Sequence, residues 1–146
     1  MKINLKNGID KLLFGMKQKD VTAIYGKPSK EYKDEDGHQI LVYNSLKMRL
    51  TFYHDEDFKL GYIVASSAAL ELFGNKIIGQ KIGDVKKELA KKNITKFTQE
   101  EFDTFENYFN DENWIIFQTE FDEVVKFELG AIINDKDEFE WKFGKK

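Results

Sequence analysis

Cysteine is absent from this 146-residue chain, which excludes disulfides, thiolate metal sites, cysteine nucleophiles and a lipid-modified N-terminal cysteine. Proline occurs once, at Pro28, so the composition is not that of a proline-rich or disordered segment. Arginine also occurs once, at Arg49, which removes the side chain that dominates forked contacts to phosphates and bases. Lys86, Lys87, Lys91 and Lys92 therefore read as a solvated helix face, and no nucleic-acid partner is expected. His38 and His54 are the whole histidine complement and form no H-x-x-x-H pair, and His54-Asp55-Glu56-Asp57 reads as a polar hairpin turn rather than a cation site. No nucleophile elbow, P-loop, dinucleotide fingerprint or EF-hand spacing is present. The expectation is a non-enzyme with no catalytic residue, no cofactor and no metal. Residues 1 to 20 alternate polar and apolar side chains, and no run approaches the roughly 18 apolar residues of a spanning helix. Together with the missing cysteine, this leads to the expectation of a cytoplasmic protein without a membrane partner.

What the chain does have is bulk: 41% hydrophobic residues, with thirteen Phe, six Tyr and two Trp, enough for one compact core. It also has an internal echo. Phe14-Gly15-Met16-Lys17-Gln18-Lys19-Asp20-Val21 returns 64 positions later as Ile78-Gly79-Gln80-Lys81-Ile82-Gly83-Asp84-Val85. Units of roughly 65 residues bury too little alone and are expected to share a core. The chain is thus read as a single domain over residues 1–146, made of two repeats at about 9–66 and 74–143.

Within each repeat the periodicity changes from helical to extended. Val21, Ile24 and Tyr25 lie on one helix face that Gly26 and Pro28 terminate, and Ile82, Val85 and Leu89 repeat the spacing. Strand patterns follow at Ile40–Tyr43, Met48–Tyr53 and Leu60–Ala65, then at Phe105–Phe109, Trp114–Thr119 and Glu123–Ile133. In the best of them Met48, Leu50 and Phe52 alternate with Arg49, Thr51 and Tyr53. Ser29 to Gln39 reads as loop or turn, and Thr98 with Glu101 fits a helix capping box or a loop. Phe139, Trp141 and Phe143 alternate with charge in an amphipathic strand over 138–143. The expected fold is α+β: a tandem repeat of one helix plus a three-stranded antiparallel meander, merged into one sheet with the helices on one face.

Charge separates the two parts. Residues 97 to 141 hold fourteen Asp and Glu against Lys126 and Lys136, while residues 1 to 96 hold eighteen Lys and Arg against twelve acids. Solvated faces explain such runs, and so does an acidic docking surface for a basic partner. On the second reading the candidate contacts are Glu100, Glu101 and Asp103 from a loop, Asp111 and Glu112 from a turn, and Glu128, Glu138 and Glu140 from strands. Trp114 and Tyr53 are the candidate aromatic anchors, although Trp114 also suits a core position.

Phe14-Gly15-Met16, the helix with Val21 and Ile24, and Gly26-Lys27-Pro28 before a meander resemble the repeat of the β-lactamase-inhibitor-protein-like superfamily. Lys17 and Lys81 depart from it, standing where such repeats place a capping Ser or Thr. The resemblance implies a scaffold that recognises another protein through its sheet face and loops. Small acidic proteins of this kind are also similar to bacterial immunity proteins. The leading expectation is a non-enzymatic inhibitor, an immunity protein that blocks a basic toxin domain such as a nuclease. The alternative is a ligand-binding or homo-oligomeric structural domain.

Overall fold

The structure is a computed structural model that describes residues 1–144. Two short strands, β1 (Ile3–Asn4) and β2 (Gly8–Ile9), pair with each other ahead of the first helix, α1 (Gln18–Tyr25). Lys17 stands at the N-cap without a side-chain cap, and the Asp20 carboxylate instead accepts the Lys17 backbone N–H at 2.9 Å. Gly26, at φ 79°, ends the helix and donates its N–H to the Thr22 carbonyl at 2.8 Å, a geometry glycine adopts without a Cβ penalty.

Four strands follow: β3 (Lys30–Lys33), β4 (Gln39–Tyr43), β5 (Met48–Tyr53) and β6 (Lys59–Ala65). A small hairpin of β7 (Glu71–Leu72) and β8 (Asn75–Lys76) leads to α2 (Ile82–Ala90). Four more strands complete the chain's main sheet: β9 (Thr98–Glu101), β10 (Glu106–Asn110), β11 (Ile115–Glu120) and β12 (Glu123–Gly130). All eight pair antiparallel in the order β3-β4-β5-β6-β12-β11-β10-β9, so β6 and β12 form the central seam and β3 and β9 the two edges.

This corrects the expected architecture. Strands take 40% of the residues and helical segments 16%, so the protein is mostly β, with two helices and an eight-stranded sheet instead of a tandem repeat of one helix and three strands. Within the eight-stranded sheet, the strands missing from the sequence reading are the edges β3 and β9. Lys30–Lys33 and Thr98–Glu101 are exposed at every position. A strand covered on neither face has no reason to alternate, and neither segment carries the period-2 signal. The 138–143 run keeps its alternation but is not a strand of the sheet: Phe139 makes an isolated bridge to Ile133, and the Lys142 and Phe143 N–H groups donate to the Phe14 carbonyl.

One face of the sheet carries the core. Met48, Leu50 and Phe52 of β5, Ile63 of β6, Phe127 and Leu129 of β12 and Ile115 and Phe117 of β11 are buried in one cluster with Val21 of α1 and Val85 and Leu89 of α2. Phe14, Phe52, Phe117 and Phe127 are fully buried. Each such side chain contributes about 1.5–3 kcal/mol when removed from water. Both helices therefore lie against this face and leave the other open.

Candidate functional site

Strand register places every side chain of the open face. One row across the sheet reads Lys30, Val42, Arg49, Val64, Glu128, Ile116, Phe109 and Thr98, each directly opposite the next. A second reads Tyr32, Ile40, Thr51, Tyr62 and Gly130, and a third Lys126, Gln118, Asn107 and Glu100. The face is thus basic toward β3, apolar and aromatic at the seam, and polar to acidic toward β9.

At the seam the Tyr62 ring meets Trp114 edge-on, with centroids 5.5 Å apart, and Trp114 meets Phe109 at 5.1 Å. Such tilted contacts set the positive ring edge against the negative face of its neighbour. Gly130 makes this arrangement possible, because a Cβ there would stand 2.9 Å from Trp114 Cε3. The Tyr62 hydroxyl donates to Glu128 Oε1. Burial, then that hydrogen bond, push the Tyr62 hydroxyl far above its ordinary range. Tyr53 is raised to about 12 by burial and by Asp55. Tyr108, buried beneath the second half of the sheet, is raised to about 12 by burial and by its hydrogen bond to Glu106. These groups are held protonated far from neutrality, and their roles here are hydrogen bonding and packing.

A groove of about 360 Å³ opens on the basic side of this face. Val42 and Val64 floor it, and Lys30, Lys47, Arg49 and Lys126 surround them. Each of the four cations comes from a different element: β3, the β4–β5 turn, β5 and β12. No carboxylate lines the groove, and among the described residues none of the four makes an ion pair.

An acidic lip of about 440 Å³ lies where the β9–β10 and β11–β12 turns meet, lined by Glu101, Asp103, Glu106 and Asp122 together with aromatic rings. Phe102 stacks on Phe105 at 4.7 Å and remains 47% exposed. Phe121 is 92% exposed, and it and Asp122 occupy the left-handed region at φ 52° and 64°. A two-residue hairpin turn of this type favours Asn-Gly, so an aromatic side chain held there in water serves neither turn nor core.

The expected contact residues are dispersed over several surfaces. Glu101 and Asp103 line the acidic lip, and Glu100 sits on the β9 edge of the open face. Trp114, Glu128 and Tyr53 lie on the open face, where Tyr53 packs against Phe139 at 5.6 Å. Asp111 and Glu112 occupy the β10–β11 turn at the other end of the strands, and Glu138 and Glu140 belong to the C-terminal hairpin, whose Glu140 N–H donates to the Ile132 carbonyl. Sequence reading missed Phe121 and Phe102 and all four groove cations. Glu120-Phe121-Asp122-Glu123, where a turn residue belongs, was the available signal for the first. The isolated Lys126 inside the acidic stretch was the signal for the second.

No protein-family model matches this sequence, and neither does any curated protein. Among solved structures, the chain is similar to an extracellular protein containing an SCP domain from Bacillus anthracis, seen at 1.5 Å resolution, with a TM-score of 0.53 and 15% identity. The likeness covers 88% of this chain and 49% of that one, so this chain spans about half the length of its structural neighbour. At that identity the likeness is one of fold. It corrects the cytoplasmic expectation, because the protein sharing the fold is described as extracellular. A lack of cysteine does not tie this fold to the cytoplasm. No described helix is long and apolar enough to cross a membrane.

Proposed function

We propose that this protein is a non-catalytic protein-binding module whose acidic lip docks a basic protein partner, with Phe121 as the apolar anchor. The observation that carries this reading is Phe121 itself, 92% exposed in a left-handed turn with Glu101, Asp103, Glu106 and Asp122 in the same lip. A large ring that a fold leaves in water, at a backbone position unfavourable to it, is retained for a contact outside the fold. The surrounding carboxylates steer a cationic surface and set orientation, and the ring supplies burial once water is expelled. The inhibitor form of this function, in which the lip plugs the basic cleft of a toxin domain such as a nuclease, draws on the charge and on the resemblance to inhibitor repeats.

Capture from native lysate on immobilised wild type, beside a Phe121→Ser variant and an Asp122→Lys variant, tests the reading. The expected result is a basic protein held by wild type, released as salt rises toward about 0.5 M where surface charges are screened, and not held by either variant. Retention that ignores both substitutions would sink it. For the inhibitor form, the captured protein must also lose its own activity on addition of wild type and keep it on addition of Phe121→Ser.

A further inference from the structure

The groove on the open face shares no lining residue with the acidic lip and has chemistry of its own. Lys30 and Arg49 stand in one row two strands apart, which places them about 10 Å from each other at the usual strand spacing. Past Arg49 and Val64 the row meets Glu128, but Lys126, one face position along β12 from Glu128, continues the line of positive charge about 12 Å from Arg49. Three of the four cations, Lys30, Arg49 and Lys126, thus form a bent line crossing the strands at about 10–12 Å intervals, and Lys47 stands two residues along the chain from Arg49. Their floor is apolar, they have no ion pairs among the described residues, and the line runs out over the β3 edge past Tyr32, itself 42% exposed.

We infer that this groove is a binding site for an extended acidic polypeptide segment, lying across the strands with a carboxylate at every third residue. A polyproline II segment rises about 3.1 Å per residue with three residues per turn, so side chains at i, i+3 and i+6 share one face about 9 Å apart, close to the spacing of the cations. The intervening residues then rest on Val42 and Val64. A nucleic acid is disfavoured by the single arginine, the side chain whose fork suits phosphates and bases. Inorganic phosphate needs cations converged on one point, whereas Lys30, Arg49 and Lys126 stand about 10–12 Å apart.

The probe is a labelled peptide with glutamate at its first, fourth and seventh positions and proline between, read by fluorescence anisotropy at low salt. Arg49→Ala and Lys126→Glu should each weaken it at least tenfold, and a peptide of the same composition with its glutamates contiguous should bind more weakly than the spaced one. Both substituted side chains are solvent-accessible, and unchanged circular dichroism checks that the variants fold. Phe121→Ser should leave peptide affinity unchanged, so this site and the acidic lip stand or fall separately. The proposal is overturned if the peptide does not bind, if affinity ignores Arg49, if the contiguous peptide binds as well, or if pyrophosphate, an RNA oligonucleotide or a second copy of the protein displaces the peptide more strongly than its unlabelled form.

Discussion

The Tyr62 hydroxyl donates a hydrogen bond to Glu128 across the β6–β12 seam, linking residues 66 positions apart in the chain. It is a side-chain bond across the junction of the two meanders on the open face, and it sits beside the Trp114 ring.

Removing it isolates its contribution. Tyr62→Phe keeps the ring packing and deletes the donor, leaving a half-buried carboxylate without its partner. A loss of about 1–2 kcal/mol is expected, because hydrogen bonds to charged acceptors exceed neutral ones while partial exposure restores some hydration. Urea unfolding should show a lower midpoint at an unchanged slope. A loss no larger than that of Tyr32→Phe on the exposed edge would show that the bond contributes nothing.

Phe121→Gly should separate stability from binding. Glycine occupies φ 52° without the Cβ clash that an L residue meets there, and the exposed ring makes no core contact to lose. Stability should hold or rise by up to about 1 kcal/mol, or roughly 2–4 °C in thermal midpoint for a chain of this size. Binding of the basic partner should fall. A clear drop in midpoint would mean that the ring supports the fold after all.

Gly130→Ala tests the aromatic seam. The new Cβ would stand 2.9 Å from Trp114 and 3.2 Å from Tyr62, so the indole must move outward. In a Trp141→Phe background, Trp114 emission should shift to the red and stability should fall by about 1–3 kcal/mol, the usual range for overpacking. An unshifted spectrum would mean that the indole does not lie over this glycine.

Alkaline pH should unfold the protein through its tyrosines. Tyr53, Tyr62 and Tyr108 all have hydroxyls raised from the ordinary 10.0, so the folded state holds protons that the unfolded chain releases first. Stability is therefore complete below about pH 10 and declines as pH rises through about 12, the value reached by Tyr53 and Tyr108. Urea midpoints measured from pH 8 to 11.5 should be flat and then fall, and Tyr62→Phe should fall less steeply. An identical alkaline decline in that variant would remove Tyr62 from the account.

Much of the sheet is written in the sequence, because a strand buried on one side must alternate. Met48–Tyr53 has the same boundaries in pattern and in structure, and β4, β6 and β11 agree within a residue at each end. Lys30–Lys33 and Thr98–Glu101 were illegible because, exposed at every position, they are held by backbone pairing that side chains do not announce. The surface was harder still. The acid-rich segment was visible as charge, but pairing and turns carried Asp111 and Glu112 to one end of the strands and Glu101 and Asp103 to the other. The basic groove needs β12 next to β6, a neighbour relation between distant segments that local periodicity cannot express.

That same adjacency sets an order of events in folding. The hairpins within β3–β6 and within β9–β12 close short loops, whereas the pairing of Ala65 with Phe127 closes one of on the order of 60 residues, at about 3–4 kcal/mol of chain entropy. The meanders should therefore take shape first and the seam should join late, giving transition-state φ-values near zero at Glu128 and appreciably higher at Leu50. The groove and the Tyr62–Glu128 bond then come into existence only in the final step, so a chain caught before it would have both meanders and neither feature.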